Sequence, residues 1–346
     1  MSSTLTADDR EWLARVLARP SDVETRERYA RALDDSSDPL RANVVRLTAR
    51  AIATGTDVGL RDALGTPSSS AWTRLIGASL LAEMESLGVS GYAPRWMPHV
   101  LPALSLHLEP DPNEEDRPIG STYFGGDPDL PVGTPWPTLA DCATFFGEAR
   151  CVDARSACHF IGQLALSDLR RGLFGATWPE QGLLSLFAFD EYDRHGISEI
   201  HVRYCSDISQ LRRVRHPVLD EANQRRRPRR ATLEHALTIP DDYEGPWSAD
   251  VRLAPDDDRG VPGHSGSPRV RSYRHLMGAS GGGRAGIFGH HTATTGADPT
   301  PDREWQRLFC VPDGDGVGWH HVAIRRTDLA ACRLERWRSV WVDLDG

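Results

Sequence analysis

The stretch GLLSLFAFD at residues 182–190 contains the longest apolar run of the chain, and its length is that of a β-strand. Other strand-length segments lie on both sides of it. In several of them apolar and polar residues alternate, as they do in half-buried antiparallel strands. These segments are residues 103–109, 158–166, 198–205, 305–311, 319–325 and 337–344. They predict a mostly antiparallel sheet in the later part of the chain.

The earlier part of the chain has the apolar spacing of helices. Four helices are predicted before residue 92, and the last of them is a single long helix that runs from Ser70 to Gly88. The predicted N-terminal caps are Thr6, Ser21 (in a capping box with Glu24), Asp38 (followed by Pro39) and Ser70.

These two patterns together predict the α+β fold class, with helices first and a mostly antiparallel sheet with short helices after them. We predict a helical domain at 1–92, a linker at 93–119 that contains six prolines, and an α+β domain at 120–346.

Composition excludes several kinds of function. The net charge of −9 argues against a general nucleic-acid binder. All 40 basic residues are Arg, which excludes a Schiff-base lysine and the lysine of a P-loop. No apolar run is long enough to span a membrane, and Asp8 and Asp9 stand where an export signal needs apolar residues. The six Cys are interpreted as reduced thiols in a cytoplasmic protein.

Metal and cofactor motifs are not evident. Cys142, Cys151 and Cys158 fit no common zinc spacing. The Gly-rich stretch 278–286 matches short hydrolase and dinucleotide patterns, but it lacks the strand and helix that these patterns require. We therefore predict no metal, no cofactor and no catalytic residue.

The loop STYFGGDPDLPVGTPWP at 121–137 is the main candidate for a functional element. Gly125 and Gly126 are predicted to take positive φ or to pass close to another backbone. Pro128, Pro131 and Pro137 fix φ and restrict the unfolded chain. The ring of Trp136 either fills the core beneath the loop or stands exposed as an anchor for a partner.

Further candidate binding residues are polar. Asp168 is interpreted as the cap of a short helix, and Asp190 ends an apolar strand. The complete candidate set is Trp136, Asp127, Asp129, Gln163, Asp168, Asp190 and Arg284, with Gly182 as a further structural glycine.

The motifs around this loop resemble those of the YwqG-like family of bacterial domains of unknown function. The matching positions are Gly125, Gly126, Pro128, Leu130, Pro131, Trp136 and Pro137, then Gln163, Leu166, Asp168 and Leu169, then Pro179, Gly182, Leu184, Leu186 and Phe187. The resemblance covers about residues 120–346 and implies an α+β domain. Members of that family are suspected immunity partners of bacterial toxins, so the resemblance also implies a protein partner.

Residues 10–53 resemble the helical repeat-companion domain of some bacterial proteins. The matching positions are Tyr29, Ala30, Leu33, Asp38, Pro39, Arg41, Arg46 and Leu47.

Two hypotheses for function follow. The first is a cytoplasmic, non-enzymatic module that binds another protein, and an exposed apolar patch rimmed by charge would favour it. The second is an enzyme or small-ligand binder with a cleft between the 125–137 and 278–289 loops, and a well-formed polar pocket would favour that one.

Overall fold

The structure is a computed structural model. It describes residues 5–65, 70–142, 155–169, 179, 181–191, 197–215, 226–240, 285–290, 300, 302–312, 318–331, 333–334 and 336–343. These residues form two compact units. One is built from described residues within 1–105 and 234–303, and the other from described residues within 106–169, 179–233 and 304–343.

The fold class is α+β, as the sequence predicts. The helices of the first unit are α1 (Ala7–Ala18), α2 (Val23–Asp35), α3 (Pro39–Thr54), α4 (Leu60–Leu64), α5 (Ala71–Leu75), α6 (Ala78–Ser86) and α7 (Ala93–Trp96), and α8 (Arg326–Ala330) belongs to the second unit. Thr6 caps α1 in a capping box with Asp9, Asp38 caps α3 and Ser70 caps α5, so three of the four predicted caps are confirmed. No helix in the described part of the chain has both the length and the apolar character that crossing a membrane requires.

The predicted cap of α2 is wrong by one residue. Asp22, and not Ser21, is the N-cap, and its carboxylate accepts hydrogen bonds from the backbone N–H groups of Glu24 (3.0 Å) and Thr25 (3.4 Å). The Thr25 hydroxyl donates to the same carboxylate at 2.7 Å. Both backbone N–H groups donate to Asp22 Oδ1 and the Thr25 hydroxyl donates to Oδ2, so the carboxylate satisfies two of the first-turn N–H groups and also holds the Thr25 side chain.

The predicted long helix from Ser70 to Gly88 is also wrong, because Gly77 divides it. Gly77 has φ +87°, which no helix can contain, and it ends α5 and begins α6. The buried guanidinium of Arg26 donates to the Ile76 carbonyl at 3.4 Å, at the end of α5. Burial lowers the pKa of Arg26 to about 10, against the opposing effect of the Asp22 charge. Gly88, at φ +69°, ends α6 as predicted.

The core of the helical unit surrounds Tyr29. Its hydroxyl donates to Asp9 (2.8 Å) and accepts from Trp72 Nε1 (2.7 Å). Arg41 bonds both Asp9 and the Tyr29 hydroxyl, and it lies 4.3 Å from the centre of the Trp72 ring. The apolar part of this core includes Leu237 and Ile239, far along the chain from the helices.

The strands are β1 (Leu101–Pro110), β2 (Tyr123–Phe124), β3 (Asp129–Pro131), β4 (His159–Ala165), β5 (Leu183–Glu191), β6 (Ile197–Cys205), β7 (Leu211–Arg213), β8 (Arg229–Thr238), β9 (Gly286–Phe288), β10 (Trp305–Pro312), β11 (Gly318–Arg325) and β12 (Trp337–Asp343). Each of the segments predicted as a strand forms one. The predicted linker at 93–119 contains α7 and β1, and Pro94 lies in the first turn of α7, where the missing N–H has no intrahelical acceptor.

Pairing among these strands is antiparallel. In the second unit β2, β4, β5 and β6 are neighbours in that order, and β10, β11 and β12 likewise. A separate two-stranded ribbon pairs β3 with β7, through Asp129 opposite Arg213 and Pro131 opposite Leu211. This ribbon and the ends of β2 and β4 position the candidate site.

Candidate functional site

The segment 121–142, called here the clasp loop, begins with β2 and turns sharply after it. Gly125 and Gly126 have φ of +67° and +73°, which confirms the predicted left-handed backbone. A Cβ atom on Gly125 would lie 2.2 Å from the Arg227 carbonyl oxygen, and one on Gly126 would lie 2.1 Å from Glu114 Oε1. Gly125 is therefore required by close approach to a backbone as well as by φ, whereas Gly126 is favoured by φ and its neighbour Glu114 is a flexible side chain.

Asp129 and Gln163 form a reciprocal pair at the centre of this region, and neither is exposed to solvent. Gln163 Nε2 donates to Asp129 Oδ2 at 2.7 Å, and the Asp129 backbone N–H donates to Gln163 Oε1 at 2.9 Å. Gln163 Nε2 also donates to the Ser121 carbonyl, and the Gly120 N–H donates to Asp129 Oδ2. The pair thus ties both ends of the turn to β4.

Two arginines complete this buried polar cluster. Arg213 Nε lies 3.2 Å from Asp129 Oδ1, and Arg117 Nε lies 3.2 Å from Asp111 Oδ2. The Arg117 guanidinium is also 4.0 Å from the centre of the Tyr123 ring, a cation–π contact. Burial and the charge of Asp129 raise the pKa of Tyr123, so its hydroxyl remains protonated and donates to the Asp127 carbonyl.

Asp127 lies against the same cluster. It is 9% exposed, and its backbone N–H donates to Glu114 Oε1 at 2.9 Å. The structure therefore brings three of the predicted site residues, Asp127, Asp129 and Gln163, into one region.

Trp136 belongs to the packing of the clasp loop. Its ring is half-buried and meets Phe187 of β5 edge to face, with centroids 5.5 Å apart. Its Nε1–H donates to the Cys158 carbonyl at 2.7 Å. The ring thus packs against the core in part, and its predicted role as an anchor for a partner stays a prediction.

The second half of the clasp loop lies across β6. Arg203 donates to the Pro135 carbonyl at 3.0 Å, and His201 Nδ1 is 2.8 Å from the Asp141 carbonyl oxygen. Burial lowers the pKa of His201, and the Asp141 contact only partly opposes this effect. These contacts hold the loop over the sheet.

The remaining predicted residues lie elsewhere. Asp168 is exposed at the end of the short 3-10 helix Leu166–Asp168, and the Thr122 hydroxyl donates to its carboxylate at 2.6 Å. The segment that Asp168 is predicted to cap continues into residues 170–178, which lie outside the described residues. Asp190 is in β5, but its side chain and all of Arg284 lie outside the described residues. Gly182 has φ +125°, and a Cβ atom on it would be 2.5 Å from the Tyr204 ring.

Sequence reasoning missed a set of exposed apolar residues near the β3–β7 ribbon. Three large apolar side chains next to the β3–β7 ribbon are exposed: Ile119 (47%), Val132 (70%) and Ile208 (45%). The Val132 N–H donates to the Gln210 carbonyl, and a Cβ atom on Gly120 would lie 3.9 Å from that of Ile208. These three residues are called here the apolar patch. No periodicity marks them, because they lie in separate turns that only the fold brings together.

Exposed charged residues lie close to the apolar patch along the chain. The exposed charged residues next to it in sequence or in the ribbon are Glu115, Asp116, Asp207, Arg212 and Arg215. Among the described residues, no group of three or more His, Cys, Asp or Glu side chains is arranged to hold a metal ion.

Comparison with known families identifies the family of the later part of the chain. The family model described as "Domain of unknown function (DUF1963)" matches residues 122–344, which begin in the clasp loop and extend through the described part of β12. No curated protein matches the sequence.

Proposed function

The chain belongs to the family described as Domain of unknown function (DUF1963), a description that states no activity, and we propose that it is a non-enzymatic module that binds another protein. The observation that carries this proposal is the apolar patch of Ile119, Val132 and Ile208. Exposed apolar residues with charged residues near them are typical of surfaces that bind proteins.

The residues of the polar cluster beside the patch are interpreted as structural rather than catalytic. Asp129 and Gln163 are fully buried and use their side-chain groups on each other, on Arg213 and on the backbone. A group committed in this way is poorly suited to exchange a proton with a substrate. The cluster instead holds the ribbon that carries Val132, and so it positions the patch.

The finer parts of the proposal rest on resemblance. The clasp loop and the Gln163 strand resemble the YwqG-like family, and residues 10–53 resemble the repeat-companion domain. We extend the proposal to a cytoplasmic protein of the toxin-immunity type on that basis. The alternative, a ligand cleft between the 125–137 and 278–289 loops, stays a prediction, since residues 278–284 lie outside the described part of the chain.

Affinity capture with matched surface variants tests the proposal. The full chain is immobilised, exposed to lysate of the source organism, and the captured proteins are identified by mass spectrometry. We expect a partner that is captured by the wild type and lost with Val132→Asp and Ile208→Asp, because a charge at the centre of an apolar interface must be desolvated.

Leu40→Asp is the control. Leu40 is 82% exposed on α3 in the helical unit, so this change adds the same charge at an exposed leucine that is not part of the patch. Capture that is reduced equally by all three variants, or by none, would contradict a binding role for the patch. Urea unfolding of each variant shows whether the fold is intact.

A further inference from the structure

We infer that Cys142 and Cys158 form a reversible disulfide that fastens the end of the clasp loop to the start of β4. Their sulfur atoms lie 3.5 Å apart, and both residues are thiols in the structure. The inference is independent of the proposed protein-binding function.

The backbone around the two thiols holds them in place. Thr138 forms an isolated antiparallel bridge with Ala157, the residue before Cys158. The Cys158 N–H donates to the Pro137 carbonyl at 2.9 Å, and the Leu139 N–H donates to the Ser156 carbonyl at 2.9 Å. A short 3-10 helix, Leu139–Asp141, then leads to Cys142, whose Sγ lies 3.8 Å from the Thr138 carbonyl oxygen. Bond formation therefore needs rotation of side chains rather than movement of separate segments.

Unequal exposure of the two thiols sets the order of the steps. Cys142 is 7% exposed and Cys158 is fully buried, so a reagent reaches Cys142 first. The oxidant that we name is a low-molecular-weight disulfide. The Cys142 thiolate attacks one of its sulfur atoms and releases one thiolate; the Cys158 thiolate then attacks the Cys142 sulfur of the mixed disulfide and releases the second. The two protein thiols lose two protons and two electrons, and the small disulfide becomes two thiols.

The bond would restrict the clasp loop. It joins the last residue of the loop to a residue whose carbonyl already accepts from Trp136, so it reinforces a contact that exists in the reduced protein. The restricted loop includes Val132, which lies between Gly126 and Trp136.

A peptide map under non-reducing conditions tests this inference, because trypsin separates the relevant thiols. Cleavage after Arg places Cys142 in the peptide 96–150, Cys151 in 151–155 and Cys158 in 156–170. The full chain is equilibrated with oxidised and reduced glutathione, alkylated and digested. We expect peptides 96–150 and 156–170 to be joined, and the joined species to disappear after treatment with dithiothreitol.

The same equilibration in denaturing urea measures what the fold contributes. Because the fold keeps the thiols in contact, we expect the ratio of joined to separate peptides to be at least about tenfold higher in the folded chain. Equal ratios, a dominant link to peptide 151–155, or glutathione adducts alone would overturn the inference.

Two variants complete the test. Cys142→Ser is expected to lose the joined species. Cys205→Ser, at a half-buried thiol whose Sγ lies 3.3 Å from the Asp207 carbonyl oxygen, is expected to keep it. The comparison of folded and unfolded wild type decides the question even if Cys142→Ser does not fold.

Discussion

Gly125 and Gly133 share a left-handed backbone, at φ +67° and +78°, but they differ in what surrounds them. A Cβ atom on Gly125 would lie 2.2 Å from a backbone oxygen, whereas one on Gly133 would meet nothing within 4 Å. We expect Gly133→Ala to lower the free energy of unfolding by about 1 kcal/mol, the cost of φ alone. Gly125→Ala has the same unfavourable φ and must also displace the backbone at Arg227, so we expect it to lower the free energy of unfolding by about 3 kcal/mol.

Urea unfolding of both variants measures the difference. Equal losses would mean that the turn can shift away from Arg227, which would contradict the close packing of the clasp loop.

Substitution of Trp136 is expected to lower the free energy of unfolding by an amount between those typical of core and of surface residues. Trp136→Ala removes the edge-to-face contact with Phe187 and the donor to the Cys158 carbonyl, but the ring is only half-buried. We expect unfolding to become easier by about 2–3 kcal/mol. Trp136→Phe keeps an aromatic ring and loses the donor, with an expected loss of about 1 kcal/mol. A urea melt of Trp136→Ala that matches wild type would show that the loop does not depend on this ring.

His320 is expected to make stability depend on pH. It is 1% exposed in β11, and burial lowers its pKa to about 3, with a further contribution from the charge of Arg226. Below pH 6.5 the unfolded chain gains a proton at this residue that the folded chain does not bind. The free energy of unfolding therefore falls as pH decreases from 6.5 towards 3, and the loss at pH 5 is about 2 kcal/mol.

The measurement is a pair of urea melts at pH 7 and pH 5 for the wild type and for His320→Leu. We expect the variant to lose less stability over this interval than the wild type does, because leucine cannot bind a proton. The same loss in both proteins would place the pH dependence at other residues.

Among the helices, the start of α2 offers a direct test of the corrected cap. Asp22 accepts from two backbone N–H groups and from Thr25 Oγ1, whereas Ser21 precedes the cap. We expect Asp22→Ala to lower the free energy of unfolding by about 1 kcal/mol and Ser21→Ala by less than about 0.5 kcal/mol. Thermal melts of the two variants measure both losses. A larger loss for Ser21→Ala than for Asp22→Ala would favour the capping box of Ser21 and Glu24 over the Asp22 cap.

The strands were predictable from sequence to a degree that the helices were not. β4, β5, β6 and β10–β12 each begin and end within one residue of their predicted limits. Their apolar residues and the turns that bound them are local signals. The division of α5 from α6 depends instead on Arg26 at the Ile76 carbonyl and on a glycine next to Met97, which are contacts between distant residues.

The candidate site was predictable to a similar, limited extent. The chemistry of glycine and proline identified the turn at Gly125 and Gly126 from local sequence alone. The partners of that turn, Arg117 and Arg213, and the apolar patch come from segments that no local pattern connects. Sequence therefore identified the loop but not the surface that it supports.

For the molecule as a whole, Leu237 shows how far apart in sequence the residues of one core can be. It is 4% exposed and completes the core of the helical unit, where a Cβ atom on Gly77 would lie 3.6 Å from its Cδ1. We expect Leu237→Ala to lower the free energy of unfolding by about 2–4 kcal/mol, since the neighbouring helices cannot collapse fully into the cavity. Urea unfolding followed by tryptophan fluorescence measures this change.

Thr232→Ala, at an exposed position of the same strand, β8, is the control and is expected to change stability by less than about 0.5 kcal/mol. Similar values for both variants would contradict the place of Leu237 in that core.

The pairing of Gln163 with Asp129 also affects how readily the protein aggregates. A strand whose backbone groups face solvent is a template on which another chain can add, and many sheet proteins aggregate in this way. On β3 the N–H of Asp129 is already bonded to the Gln163 side chain, and Pro131 has no N–H to offer. The Gln163 side chain therefore bonds the β3 backbone where a further strand would otherwise pair, and this disfavours edge-to-edge assembly at β3. Val132, the next residue along the chain, stays exposed, so another molecule can still contact its side chain.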